Sequence, residues 1–390
     1  MIELLLEKAQ QWVKDKTGEA AREHIRFNLI REGHRWNELT YDQLTDLIYA
    51  EMFGLGPLQP LIEHPEITDI LVNGPYEIYV EQNGRLQHRQ DIRFRSQEHL
   101  NDLIQRIVAP LGRRFDRSSP FVDARLPDGS RIHAVGEPAC INGPLLAIRR
   151  FRDQILRLED LIEGGTCSPD MARFLRNAVH GRCNLVVSGG TGTGKTTTLN
   201  CLLDLIAGTS ERLVIIEDAV ELRYQGHAVR LEARPPNAEG QGKITIRELL
   251  RNALRMRPDR IVVGEVRDGA AWDMLQAMNT GHPGSLTTVH ANSPYDCLTR
   301  IVDMILMDRD PPPFEALARH VGRAIDLVVQ LVRLPSGKRV MQQLAIVDWD
   351  WQGWHIHSLT DDGEIDLEQT WVNKPHLREV LLPILRELGR

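Results

Sequence analysis

The chain has no apolar run approaching the ~20 residues that a membrane-crossing helix needs. It is sparing with cysteine: Cys140, Cys167, Cys183, Cys201 and Cys297 are odd in number and show no CxxC spacing. That usage fits a reducing compartment better than a disulfide framework or a zinc site. Charge of one sign is not in excess. Forty-seven basic against 54 acidic residues give a formal −7, too mild for a nucleic-acid coat or an acidic tail. Nor is there a run of interleaved aromatic and basic residues on which single-stranded nucleic acid would stack. The opening MIELLLEKAQQWVKDK turns charged too soon to read as a secretory signal. No internal repeat or low-complexity segment occurs. A soluble, cytoplasmic protein is expected, and 390 residues leave room for two or three domains.

What the chain does have is SGGTGTGKTT, Ser188 to Thr197, which contains the phosphate-loop pattern GxxxxGK[ST]. A nucleotide's phosphates need close wrapping by backbone N–H groups, so glycines suit the loop. Lys195 supplies a point charge for the β- and γ-phosphates, and the Thr196 hydroxyl a ligand for Mg²⁺. Leu185-Val186-Val187 before the loop reads as a buried strand. Leu199, Leu202, Leu203 and Ile206 after it fall on one helical face. Gly189, Gly190, Thr191, Gly192, Thr193, Gly194, Lys195, Thr196 and Thr197 form the expected ATP-binding set.

The first fifty residues read as a helical extension, with Leu5, Ala9, Trp12 and Val13 on one face and a second patch through Leu39, Leu44, Leu47 and Ile48. GLGPLQP, Gly54 to Pro60, breaks the helical pattern. Residues 51–150 then mix strand-like pieces (Asp69 to Val72, Glu77 to Val80, a strand from Arg131, Leu145 to Ile148) with the helical stripe of Leu100, Leu103, Ile104, Ile107, Val108 and Leu111. A compact α+β domain is expected there. Residues 151–168 lose strong pattern around Gly164-Gly165 and read as a hinge or linker. From 169 to 347 strand and helix alternate as in α/β folds. The last segment, 348–390, holds Trp349, Trp351, Trp354 and Trp371 and reads as a separate tail.

Phosphate hydrolysis needs groups that hold the metal's water shell, orient the attacking water and neutralise charge in the transition state. In a parallel sheet these project from the carboxyl ends of strands beside the phosphate loop. Glu217-Asp218 follows one such strand, Glu265 follows Ile261-Val262-Val263, and His290 ends Ser285 to Val289. Glu217, Glu265 and His290 are therefore candidate catalytic residues, His290 as a γ-phosphate sensor.

Four segments now carry a resemblance: the phosphate loop, IIEDAVEL (Ile215 to Leu222), LRMRPDRIVVGEVRD (Leu254 to Asp268) and NTGHPGSLTTVHAN (Asn279 to Asn292). They look like the Walker A, Asp, atypical Walker B and His boxes of the secretion and type IV pilus traffic ATPases. GLGPLQPLIEHPEITDILVNGP (Gly54 to Pro75) and SSPFVDARLPDGSRIHAV (Ser118 to Val135) resemble the branch serving Flp/Tad tight-adherence pili. The resemblance spans about residues 51–347. It implies a hexameric ring motor with an N-terminal PAS-like domain and a RecA-like P-loop NTPase domain, ATP held between them, working on inner-membrane platform proteins from the cytoplasmic face.

The resemblance also implies roles. Lys195 and Thr196 bind phosphate and Mg²⁺, Glu217 is the general base or water-positioning acid, Glu265 the Walker B acid on the metal, and His290 the sensor. Arg131 and Arg149 reach the phosphates, with Arg125 and Arg150 as weaker candidates. Peripheral membrane association through partners, and no nucleic acid, are expected. A ring translocase for nucleic acid, which would share the core, and a non-catalytic nucleotide-binding ring component are the competing readings. DNA-stimulated, salt-sensitive turnover would mark the first. Full ATP turnover after Glu265→Gln would mark the second.

Overall fold

The computed structural model describes residues 2–34, 38–141, 143–150, 157–236, 240–308, 311–350, 353–359 and 374–387. It divides into two compact units, Met1–Arg152 and Asp153–Arg390.

The first unit opens with three helices, α1 (Ile2–Val13), α2 (Gly18–Arg31) and α3 (Tyr41–Phe53). Leu5, Ala9, Val13, Leu44 and Ile48 from the two apolar patches read in the sequence meet in a core of their own, together with Ile25 and Leu29 of α2, which that reading did not include. The start of α3 is fixed by a capping box: Gln43 N–H donates to Thr40 Oγ1 and Thr40 N–H to Gln43 Oε1. The short α4 (Gln59–Glu63) leads into a sheet with α5 (Gln97–Val108) on one face. Its strands are β1 (Ile67–Asn73), β2 (Ile78–Gln82), β3 (Arg85–His88), β4 (Phe121–Arg125), β5 (Arg131–Val135) and β6 (Leu145–Arg149), in the order β3-β2-β1-β6-β5-β4. Every pairing is antiparallel. Glu51 near the end of α3 pairs with His99 of α5 at 2.8 Å and with Arg95 at 3.2 Å, so the helical bundle is fastened to this sheet.

Side chains alternate across a strand. Ile70, Val80, Ile132 and Ile148 face Leu100, Leu103 and Ile104 of α5. The residues one step along face the other way, and there the register aligns Glu81, Asp69, Arg149, Arg131 and Arg125 on one rung across five strands.

The second unit is built on an eight-stranded sheet in the order β14-β13-β12-β7-β11-β10-β8-β9. Its strands are β7 (Leu185–Gly189), β8 (Leu213–Glu217), β9 (Ala228–Glu232), β10 (Arg260–Val263), β11 (Leu286–Val289), β12 (Leu327–Arg333), β13 (Arg339–Asp350) and β14 (Gly353–Leu359). The six strands from β12 to β9 pair in parallel, while β13 and β14 return antiparallel. Helices cover both faces, so the central strands are near-continuous apolar runs. Leu185 and Val187 pack with α6 (Leu158–Glu163), α7 (Pro169–His180) and α8 (Lys195–Asp204). Val186, Val214 and Ile216 face α9 (Ile246–Ala253), α10 (Ala270–Asn279), α11 (Pro294–Leu306) and α12 (Phe314–Ala324). A last helix, α13 (Pro375–Glu387), joins the α7 side through Leu377 and Leu381.

Two sequence expectations meet a different local structure. Within the stretch read as a linker, 151–156 lie outside the described residues, but Leu158 and Leu161 of α6 are buried in the second unit's core. Leu158, Leu161 and Ile162 span barely more than one helical turn, too short a stretch to establish a period, which hid them. The stretch read as a tail begins inside a strand: β13 runs on to Asp350 and β14 extends the same sheet. Trp354 donates its indole N–H to the Ala318 carbonyl at 2.8 Å. Trp349 lies so close to Gly322 of α12 that an added Cβ would sit 2.6 Å from its own Cβ. Trp351 and Trp371 lie outside the described residues. Among the described residues no helix is long and apolar enough to cross a membrane.

Candidate active site

The parallel register places the carboxyl ends of β7, β11, β10 and β8 side by side at one edge of the sheet. The phosphate loop leaves β7 at Gly189 and enters α8 at Lys195. Close approach demands the first glycine: a Cβ there would stand 2.6 Å from both the Leu331 carbonyl and Thr193 Oγ1. Gly194, the residue preceding α8, has φ +96°, a conformation that favours glycine. Thr193 closes the bend by donating its hydroxyl to the Gly190 carbonyl at 2.9 Å. Thr191 is exposed at the crest, and Thr196 and Thr197 begin α8 half-buried.

Lys195 is buried and folds back over the loop. Its ammonium donates to the Gly189 and Gly190 carbonyls at 2.9 and 2.8 Å, and lies 3.3 Å from His290 Nδ1 at the end of β11. An ammonium only donates, so Nδ1 is the accepting nitrogen and Nε2 carries the proton. That Nε2 stands 3.2 Å from Glu265 Oε1. A lysine at the start of α8, a histidine just past β11 and a glutamate just past β10 thus form one chain. Burial and the Lys195 charge hold His290 below the ordinary imidazole value, with Glu265 opposing them. Burial pushes the Glu265 carboxyl up, but Arg267 at 2.7 Å and the charges of His290 and Lys195 outweigh it, leaving it below the usual range.

Glu217 is placed differently from the other acid. It is buried, and its Oε1 accepts the backbone N–H of Glu221 and of Leu222, both at 2.7 Å. Its Oε2 meets Arg230 at 3.2 Å. Burial raises its pKa, against the pull of those backbone donors and Arg230. Glycine at 264 makes room, since a Cβ there would lie 3.2 Å from Glu217 Cγ. Glu217 therefore folds the loop after β8, and that loop delivers Glu221: Thr196 donates its hydroxyl to Glu221 Oε2 at 3.3 Å. The sequence reading assigned no role to Glu221. The only signal was a second glutamate four residues after the first, in a segment whose irregular path no periodicity reveals.

Of the predicted residues, the second unit thus brings together Lys195, Thr196, His290 and Glu265, with Glu217 behind Glu221. Arg131 and Arg149 lie in the first unit, directly opposite one another across β5 and β6, and Arg125 faces Arg131 across β4. Arg150 stands apart from that rung, donating to the Ile67 carbonyl at 3.1 Å. The phosphate loop fits a nucleotide's phosphates on two grounds: Gly192 and Gly194 take the positive-φ conformations that bend a backbone around an anion, and a buried ammonium lies against the loop. Thr196 and Glu221 set hard oxygen donors beside the loop, as Mg²⁺ prefers.

A loop cradle for phosphate at the edge of a parallel sheet, with acids on neighbouring strand tips, defines a P-loop nucleoside triphosphatase. The family model described as "Type II/IV secretion system protein" matches residues 51–382. The chain belongs to that family of secretion proteins, and it is an ATP hydrolase. A Mycobacterium tuberculosis protein named for conjugal transfer is 37% identical over 311 residues, covering 77% of this chain and 86% of its own. The type IV secretion system protein VirB11 of Brucella suis is 32% identical over 307 residues, 72% of this chain and 84% of its own. Among solved structures, that of the pilus retraction motor PilT with bound ADP matches with a TM-score of 0.57 at 20% identity. It covers 84% of this chain and 88% of PilT, a likeness of fold.

Proposed function

We propose that this chain is the subunit of a hexameric ring motor of the Flp/Tad branch, in which ATP hydrolysis drives pilus assembly or retraction, or export across a bacterial envelope. On this reading 1–50 is a helical extension, 51–150 a PAS-like domain and 169–347 a RecA-like ATPase core, which α6 from the 151–168 stretch and β14 from the 348–390 stretch complete. The motor works in the cytoplasm at the inner-membrane face, on platform proteins and without nucleic acid. Relatives named for conjugal transfer and type IV secretion support export as the work done.

The observation that carries this reading is the Lys195–His290–Glu265 chain. Lys195 and the loop from Gly189 to Thr197 bind the phosphates, the loop amides and the start of α8 adding positive potential. Thr196 and Glu265 would hold Mg²⁺, with Glu221 beside Thr196, and the ion would neutralise charge on the phosphate oxygens. Glu221, held beside Thr196 by Glu217, orients the attacking water. Glu217 keeps the role of water-positioning acid through that loop. His290, touching both Lys195 and Glu265, senses the γ-phosphate by exchanging either partner for it. The Arg131–Arg149 rung supplies planar, always-charged donors to the nucleotide within the assembled ring.

The test is ATP turnover across a protein dilution series, with mass photometry alongside. Activity per subunit should collapse as rings dissociate, and Arg131→Ala and Arg149→Ala should lower it even in intact rings. Full activity in lone subunits would sink the ring motor.

A further inference from the structure

The β12–β13 hairpin has no part in the mechanism above, yet it touches the phosphate loop. β12 lies parallel to β7 with Leu331 opposite Gly189, and it continues for Val332 and Arg333 after β7 has turned into the loop. A register shift between Gln330 and Leu331 sets Arg333 directly across from Arg339. The turn between them is tight: Gly337 N–H donates to the Leu334 carbonyl and Leu334 N–H to that of Lys338, both at 2.8 Å.

Both arginines lie over loop glycines. Arg339 Nε donates to the Gly192 carbonyl at 2.9 Å. Its Cδ is 3.3 Å from where a Cβ on Gly194 would stand, and Arg333 Nη1 is 3.2 Å from the same point on Gly192. On its other side the hairpin is tied back, Met341 N–H donating to the Thr166 carbonyl at 2.6 Å.

A trans peptide is planar, so its C=O and N–H point opposite ways. Holding the Gly192 carbonyl against the hairpin therefore aims the Thr193 N–H away from it. Gly192 sits at φ +71°. Gly192 itself has no Cβ, so the peptide plane that follows it turns more freely than one between two residues with side chains, and Thr193 and Lys195 hold the carbonyls of Gly189 and Gly190 rather than that of Gly192. We infer that the β12–β13 hairpin is a clasp on the phosphate loop and that Arg339 is a positioning residue for nucleotide affinity, fixing the loop amides before the phosphates arrive. The inference rests on the loop's binding nucleotide.

Preorganisation acts on binding, and it acts on ADP and ATP alike. With full-length protein and a fluorescent ADP, Arg339→Ala should raise Kd about tenfold. KM for ATP should rise in step while kcat stays within twofold. Arg333→Ala removes a similar charge from the same hairpin but leaves the Arg339 Nε–Gly192 hydrogen bond in place, and should change Kd less than threefold. Arg339→Lys keeps charge and stem but lacks the Nε–H, so it should retain most of the loss. It also carries the test should the alanine variant melt lower than wild type. Lys195→Ala, losing binding beside an intact wild type, establishes the loop itself. Against that control, an Arg339→Ala Kd within twofold of wild type overturns the clasp alone. So does Arg339→Lys binding like wild type, or Arg333→Ala matching Arg339→Ala, since either would assign the effect to charge. A wild-type protein that does not bind ADP overturns both clasp and loop reading.

Discussion

Lys195 Nζ and His290 Nδ1 lie 3.3 Å apart, joining a residue at the start of α8 to one at the end of β11. The contact uses the imidazole as an acceptor on one nitrogen and a donor to Glu265 on the other. Removing the ring leaves both charges in place and takes away the group that relates them. His290→Ala should therefore lower kcat by about 10²-fold, the scale of losing one aligned polar group in such a site. ADP affinity should stay within a few-fold of wild type. Equal losses in affinity and turnover would place His290 in ground-state binding instead.

Glu217 and Glu221 invite opposite outcomes although they share one short loop. Glu221 faces Thr196, and Glu217 faces the backbone that bends the loop. Glu221→Gln should cut kcat by about 10²-fold or more, the range for a group that orients or deprotonates a reacting water. Its thermal stability should be unchanged. Glu217→Ala leaves two backbone donors without their acceptor and should lower stability by about 2 kcal/mol. Denaturation and single-turnover kinetics on the two variants check this. A Glu221→Gln protein with full activity would return the catalytic role to Glu217 alone.

Metal dependence follows from the oxygen donors beside the loop. Chelation with excess EDTA should abolish turnover, and added Mg²⁺ should restore it. Thr196→Ala should shift the Mg²⁺ requirement upward by about tenfold, because one hard donor of a largely hydrated ion is lost. Turnover of wild type in EDTA equal to that in Mg²⁺ would remove the ion from the mechanism.

Why some of these residues are legible in the sequence and others are not has a physical cause. Glu265 and His290 end strands, and a parallel sheet brings strand ends to one edge whatever the loops do. Their neighbourhood can be read from apolar runs alone. Glu221 sits in an irregular segment, where no period reports the direction of a side chain. Arg339 reaches Gly192 from 147 positions away, through a register shift that nothing local marks. The same holds for β14. Its alternating residues carry no sign that Gly322 has left room for Trp349 on the neighbouring strand. The arginine rung is a mixed case. The resemblance pointed to Arg131 and Arg149, with Arg125 and Arg150 behind them, but only the pairing of β4, β5 and β6 sets Arg125 on the same rung and leaves Arg150 off it.

The end of the sheet away from the phosphate loop is held by a buried ion pair, and its response to mutation and to acid can be worked out. Asp326, just before β12, accepts the Asn184 backbone N–H at 2.9 Å and meets Lys374 at 3.1 Å and His376 at 3.1 Å. Asp326 and Lys374 are both almost fully buried. Burial pushes the Asp326 carboxyl up, yet Lys374, then His376 and Asn184, pull it below its ordinary 3.8. A carboxyl whose folded value lies below its unfolded one adds stability above 3.8, and that stability is lost as pH falls through the folded value. Lys374→Met should lower stability by about 3 kcal/mol at neutral pH, because it leaves a buried carboxylate without its cation. Adding Asp326→Asn should recover much of the loss. The single variant should also lose the part of its acid unfolding below pH 3.8 that wild type owes to this pair. Denaturant titrations of wild type, single and double variants at pH 7 and pH 3 measure each step. A double variant no more stable than Lys374→Met would mean that the anchoring of α13 does not pass through this pair.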